Sequence, residues 1–128
     1  MATTRVRPTR AELLILRVLW SAGPLGVREV QRILGEAKPT GYTSVLKTMQ
    51  IMLDKGLVDR DDTVRPQVYR ARYSEEGTQK QMLVDLLQRA YGGSVKALVL
   101  HALGTRKPSS ADVAAIEKLL DRYERSGQ

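Results

Sequence analysis

The sequence has no cysteine and no phenylalanine, and it has a single histidine, His101. The lack of thiols excludes disulfides, thiolate metal sites and cysteine nucleophiles. Because a metal site usually needs three or four ligands, we interpret His101 as a structural or surface residue and expect no metal site. No serine has a histidine and an acid in a recognisable catalytic order. The sequence therefore predicts neither an enzyme nor a bound cofactor.

Long apolar runs are also absent. No run approaches the roughly 18 residues that a membrane-spanning helix needs, and residues 1–5 contain no apolar stretch typical of a signal peptide. We therefore expect no membrane insertion and a cytoplasmic location. The apolar fraction of 42% is sufficient for a packed core, and 128 residues fit one domain or one domain with a small appendage.

Basic charge is concentrated in the first part of the chain. Residues 1–73 carry thirteen Lys and Arg against seven Asp and Glu, a net +6, whereas residues 74–128 carry eight against seven, a net +1. A positive charge on one half is typical of a protein that binds a polyanion. Charge alone is also compatible with an alternative, a soluble basic protein that binds no polyanion.

The first part has the order of elements of a winged helix-turn-helix. Thr9-Arg10-Ala11-Glu12 forms a capping box, and the apolar spacing after it predicts a first helix to about residue 20. Further helices are predicted over residues 27–34 and 43–55, the third ending at Gly56 as a left-handed cap. Strands are predicted over residues 57–59 and 68–73, with a polar loop between them.

From Ser74 onward the pattern is purely helical, so we divide the chain into a winged-helix domain over residues 1–73 and a helical dimerisation domain over residues 74–128. The predicted fold class is mainly α with a small β-hairpin wing. About 55 residues in three short helices cannot bury a deep core alone. Their apolar stripes must pack against the first domain or, more economically, against a second copy. The residues expected at the dimer interface are Leu83, Leu86, Leu87, Leu98, Val113, Ile116, Leu120 and Tyr123.

The third helix has a polar side whose residues between 43 and 50 include no carboxylate. At about 100° per residue, its apolar residues fall on one side and Thr43, Ser44, Lys47, Thr48 and Gln50 on the other. Such a side suits base edges and phosphates in the major groove. An ordinary solvated helix face is the alternative, but the position just before a hairpin favours DNA recognition.

Flanking residues extend this predicted DNA-binding surface. Tyr42, just after Gly41, is expected to bring its hydroxyl to a phosphate, and Arg65, Arg70 and Arg72 of the wing are expected to contact the DNA backbone. Three aspartates in the same wing argue against the whole loop lying on DNA. We therefore rank the wing below the helix.

Four blocks of sequence resemble the penicillinase-repressor (BlaI/MecI) family: "RAELLILRVLWSAGPLGVREVQRIL", "GYTSVLKTMQIMLDKGLV", "VYRARYSEE" and "YGGSVKALVLHAL". The resemblance covers about residues 9–123. It implies a bacterial repressor with an N-terminal winged helix and a C-terminal dimerisation region. Such repressors bind palindromic operators on double-stranded DNA, typically upstream of β-lactamase, penicillin-binding-protein or sensor-protease genes. The family's base-reading helix matches Thr43, Ser44, Lys47 and Thr48, and its wing matches roughly residues 59–73.

The chain departs from this family pattern at two places. Ile51 stands where many members have an arginine, and its apolar side chain either weakens a phosphate contact or packs on a neighbour. In several members a membrane sensor metalloprotease cuts an asparagine–phenylalanine bond, and the matching pair here is His101-Ala102. The resemblance thus implies a protease partner, whereas these two residues argue against cleavage.

The leading interpretation is a homodimeric repressor that reads a palindromic operator. Two alternatives share parts of this fold. A winged helix also serves as a protein-interaction module, and a ligand-sensing regulator would have the same DNA-binding half. The basic charge of residues 1–73 favours DNA over a protein partner.

Overall fold

The structure is a computed structural model that describes residues 7–127, so residues 1–6 of the expected first domain lie outside the described part. It contains six helices and one hairpin in the described range. In chain order these are α1 (Arg10–Ala22), α2 (Val27–Ala37), α3 (Tyr42–Lys55), β1 (Val58–Asp61), β2 (Val68–Ala71), α4 (Glu75–Tyr91), α5 (Val95–Thr105) and α6 (Ser110–Ser126). The predicted fold class, a winged helix followed by a helical region, is confirmed.

The chain separates into two compact units between Met82 and Leu83. We call them the N-terminal unit and the C-terminal unit. The sequence-based division falls earlier, after Tyr73. The structure instead assigns the first turns of α4 to the N-terminal unit.

Local hydrogen bonds define the ends of the first and third helices. At the start of α1 the Thr9 hydroxyl accepts from the Glu12 N–H (3.2 Å), and the Glu12 carboxylate accepts from the Thr9 N–H (2.9 Å). The predicted capping box is therefore present. At the end of α3, Gly56 has φ +81° and its N–H donates to the carbonyls of Leu53 and Met52. This is the predicted left-handed cap, which favours glycine because an L side chain is strained there.

The hairpin gains a third backbone partner that the sequence analysis did not predict. β1 and β2 are antiparallel, with Val58 opposite Ala71 and Asp61 opposite Val68. The Leu25 N–H donates to the Tyr69 carbonyl (3.0 Å), and the Tyr69 N–H donates to the Leu25 carbonyl (2.8 Å). The link between α1 and α2 is thus tied to β2, which fixes the hairpin against the helices.

The core of the N-terminal unit lies between the three helices and the hairpin. Its buried residues are Ile15, Leu16, Leu19, Val27, Val30, Val45, Met49, Met52, Leu57, Val58 and Tyr69. Trp20 lies half-buried against this cluster, and its indole N–H donates to the Tyr73 carbonyl (3.0 Å). Because every helix contributes one apolar side to this core, the opposite side of α3 must face outward.

Helices α5 and α6 of the C-terminal unit bury no residue. Their first turns are capped by Ser94, whose hydroxyl accepts from Ala97 N–H, and by Ser109, whose hydroxyl accepts from Asp112 N–H. Of the residues expected at a dimer interface, Leu87 and Leu98 are half-buried. The exposed members are Leu83, Leu86, Val113, Ile116, Leu120 and Tyr123. The C-terminal unit therefore presents apolar side chains without a core of its own.

Candidate nucleic-acid interface

The two sides of α3 differ sharply in burial. Val45, Met49 and Met52 are buried in the core. The exposed side chains on the polar side are those of Thr43, Ser44, Lys47 and Gln50, with Asp54 in the last turn, and Thr48 is half-buried. Before Asp54 the helix therefore projects hydroxyl, ammonium and amide groups, all of which hydrogen-bond to base edges or phosphates.

Positive electrostatic potential surrounds the start of α3. Its cap residue Gly41 provides no side-chain hydrogen bond, and its first turn contains no acidic residue. The Arg28 guanidinium lies 4.5 Å from the centre of the Tyr42 ring. The amide end of a helix carries a partial positive charge, to which Arg28 adds a full one. Anionic groups are favoured at this end.

Arg28 is a candidate that the sequence analysis missed. It lies in the first turn of α2, where it is one exposed arginine among several. Only the packing of α2 against α3 places it over Tyr42. The available signal was the known tendency of the helix before a recognition helix to cross the DNA backbone.

Lys47 and Thr48 differ in whether their polar groups already have a hydrogen-bond partner within the chain. Among residues 7–127, no ion pair or hydrogen bond engages the Lys47 ammonium. The Thr48 hydroxyl donates to the Ser44 carbonyl one turn earlier (2.9 Å). Lys47 is thus available to a ligand, whereas Thr48 must give up or share a bond within its own helix to donate to one.

The three arginines expected in the wing also differ. Arg72 donates to the Asp59 carboxylate at 2.7 and 3.0 Å, and this carboxylate raises the pKa of the guanidinium. Arg65 donates to the carbonyls of Asp62 (2.8 Å) and Val64 (3.2 Å). Within the described part of the chain, Arg70 is exposed and makes no hydrogen bond or close ion pair, although its charge contributes to the lowered pKa of the nearby Asp61. Arg70 is therefore the wing arginine most available to a phosphate.

Carboxylates at the wing are held by neighbouring groups. Asp61 accepts from both the hydroxyl and the N–H of Thr63, and these bonds lower the pKa of its carboxyl. Arg60 forms an ion pair with Asp62, whose carboxylate raises the pKa of the guanidinium. The wing therefore consists largely of internally paired charges, and its free positive charge is small.

One apolar residue interrupts the polar side of α3. Ile51 is 41% exposed, although the other apolar residues of this helix are buried or half-buried. It follows Lys47 by four residues, so the two side chains are neighbours on the helix surface. Ile51 is therefore only partly covered within the described chain. Both interpretations of this residue, a weakened phosphate contact and packing on a neighbour, stay predictions.

The matching pair for proteolysis lies inside a helix. His101 and Ala102 are both exposed residues of α5, and His101 Nδ1 is 3.2 Å from the Tyr91 hydroxyl. Residues 7–127 contain no group of three His, Asp or Glu side chains placed to hold a metal ion. No helix in that range is both long and apolar enough to cross a bilayer.

Comparison with known proteins agrees with this geometry. The family model described as penicillinase repressor matches residues 8–122, which is nearly the whole chain. No curated protein matches. The chain belongs to the penicillinase repressor family, and its role is that of a transcriptional repressor.

Proposed function

We propose that the chain is a sequence-specific, non-enzymatic repressor that binds a palindromic operator as a homodimer in the cytoplasm. The observation that carries the proposal is the polar side of α3 over residues 43–50, which is mostly exposed, has no carboxylate and begins at a helix end without a side-chain cap. A carboxylate near a phosphate would repel the DNA backbone, and the one carboxylate on this side, Asp54, lies in the last turn. The carboxylate-free first turns favour DNA over a basic protein partner.

In the proposed complex α3 lies in the major groove. Thr43, Ser44 and Lys47 in its first two turns reach base edges, with Gln50 one turn further along. The backbone contacts come from residues around them: Tyr42 and Arg28 at the start of α3, and Arg70 in the wing. Arg65 and Arg72 contribute less, because their guanidinium groups already bond to the chain itself.

The C-terminal unit supplies the proposed dimer contact. Its helices carry exposed leucines, valines and an isoleucine that find no core in one copy. Burial of such apolar surface between two copies stabilises the dimer by about 25 cal/mol for each Å² that is removed from water. A two-fold dimer then places two α3 helices about 34 Å apart, one turn of DNA, and the operator is a palindrome.

Repression follows from occupation of promoter DNA, and the family points to genes of the β-lactamase, cell-wall or sensor-protease type as targets. Cleavage at His101-Ala102 by a membrane protease is not part of the proposal. The pair His101-Ala102 stands where the cleaved bond of other members joins an asparagine to a phenylalanine, and this difference argues against cleavage.

The proposal is tested by paired lysine variants. Lys47 and Lys80 are both exposed, but only Lys47 lies on α3, so Lys47→Ala and Lys80→Ala remove the same charge from different surfaces. We expect Lys47→Ala to weaken operator binding at least about thirty-fold, since a good base contact is worth about 1–3 kcal/mol and the dimer loses two of them. Lys80→Ala should stay within about two-fold of the wild type. Fluorescence anisotropy at one fixed salt concentration measures both. Equal affinities of the two variants would contradict the placement of α3.

A further inference from the structure

The position of Ile51 on α3 points to a specific role. Apolar side chains left in water cost free energy, and every other apolar residue of α3 is at least half-buried. Ile51 is the exception at 41% exposure. It lies on the side of the helix that the proposed function places against DNA. An exposed isoleucine on this side is therefore in a position to contact a group of the DNA groove.

Helix geometry places Ile51 within reach of the bases. It follows Ser44 by seven residues and Thr48 by three, so all three belong to one stripe of the helix surface. At about 1.5 Å per residue, Ser44 and Ile51 are about 10 Å apart along the axis, which equals about three base-pair steps. A helix that contacts bases with Ser44 and Lys47 thus presents Ile51 to a neighbouring base pair.

The chemistry of the groove leaves one partner for this side chain. Isoleucine has no donor or acceptor, so it gains nothing from a phosphate or from a polar base edge. The apolar group of the major groove is the C5-methyl of thymine. Thr48 supports this assignment, because its hydroxyl is engaged by the Ser44 carbonyl and adds no free donor beside Ile51.

We propose that Ile51 determines operator specificity by packing against the methyl group of a thymine in the major groove. The inference rests on the proposed function, because it requires α3 to lie in that groove. Ser44 and Lys47 near the start of α3 then supply polar contacts, and Ile51, about two turns later, supplies an apolar one. The operator half-site then carries a thymine within a few base pairs of the base that Lys47 contacts.

Replacement of thymine by deoxyuridine isolates this contact, since the two differ only in the methyl group. The operator is first obtained by selection from fragmented DNA of the source, and each thymine of the half-site is then replaced in turn, symmetrically in both half-sites. Burying one methyl is worth about four-fold in affinity, which corresponds to ~0.8 kcal/mol, so two half-sites give about fifteen-fold. We expect one thymine position to show this loss with the wild type.

Two variants complete the experiment. Ile51→Ala should bind thymine and uracil operators equally, because the methyl has lost its partner. Val64→Ala is the matched control, since Val64 is an equally exposed apolar residue (42%) located in the wing. It should retain the wild-type sensitivity. Thermal melting checks that both variants are folded.

Two results would overturn the inference. The wild type could show no methyl sensitivity at any thymine, or Ile51→Ala could keep the wild-type ratio between the affinities for the thymine and uracil operators. In each case a palindrome has been selected, so the repressor function stands and only the role of Ile51 fails. If the protein selects no sequence at all, the proposed function fails together with this inference.

Discussion

A buried carboxylate joins the start of α1 to the end of α3, and its removal should destabilise the N-terminal unit. Glu12 is 3% exposed. Its oxygens accept from the Lys55 ammonium at 2.8 and 3.1 Å and from the Thr9 N–H at 2.9 Å. Glu12→Gln keeps the size of the side chain and an acceptor for Thr9, but it removes the charge that Lys55 faces.

The expected loss of stability is about 2 kcal/mol at neutral pH. Hydrogen bonds to a charged group contribute about 1.5–3 kcal/mol each, and loss of one partner of a fully buried pair costs about 3–5 kcal/mol. The lower part of this range applies because the Lys55 side chain is 30% exposed and can turn toward water. In the same way, Lys55→Met should cost more, about 3 kcal/mol, because it leaves the carboxylate buried without a counter-charge.

The stabilising contribution of Glu12 should decrease as the pH falls. Burial alone raises the pKa of Glu12, but the hydrogen bonds from Lys55 and Thr9 and the charge of Lys55 outweigh it, so the pKa lies below its usual value of 4.5. A group whose pKa is lower in the folded than in the unfolded state stabilises the protein at pH values above its unfolded pKa. This contribution is lost as the pH falls through the folded pKa. The wild type and Glu12→Gln should therefore converge in stability in acid, once the pH falls below the lowered pKa of folded Glu12.

Urea denaturation of the full chain, followed by far-ultraviolet circular dichroism at equal protomer concentration, measures these differences. Glu29→Gln is the control, since Glu29 forms an exposed pair with Arg32 and its loss should cost less than about 0.5 kcal/mol. The reasoning is refuted if Glu12→Gln is as stable as the wild type at pH 7. It is equally refuted if the difference between the two persists unchanged in acid.

Two further variants test the fold and the assembly. Gly56→Ala should lose about 1–2 kcal/mol in urea denaturation, because φ is +81° and the new Cβ would lie 2.8 Å from Arg72 Nη1. Gly35→Ala, in a helix with open space around it, should be neutral or slightly stabilising, and equal losses would contradict the cap argument. Leu120→Glu should shift the protein toward monomer in sedimentation velocity, whereas Lys118→Glu on the opposite side of α6 should not. A Leu120→Glu protein that stays dimeric would exclude this stripe from the interface.

Periodicity and end signals were sufficient to predict the order of the elements. The Thr9–Glu12 box located the start of α1, and Gly56 located the end of α3, because both signals act within one turn of helix. The rotation of α3 followed from its 3.6-residue period, with Met49 and Met52 inward and Lys47 outward. Each of these features is local in sequence.

Contacts between distant residues could not be predicted in this way. The bridge between Leu25 and Tyr69 joins a four-residue link to a strand, and no pattern of alternation marks so short a segment. The ion pair of Glu12 with Lys55 depends on how α1 and α3 pack, and the engagement of Arg72 by Asp59 depends on the hairpin. The candidate site changed accordingly, since Arg70 and Arg28 gained importance over Arg65 and Arg72.

Binding to fragmented DNA from the source of the protein, at two salt concentrations, decides whether this chain is a sequence-specific repressor. Phosphate contacts weaken steeply as salt rises, whereas base contacts preserve the preference for one sequence. We expect a palindromic site that stays enriched at the higher salt concentration. Uniform binding that disappears with salt would contradict the proposal, because it would show a basic surface without a recognition helix.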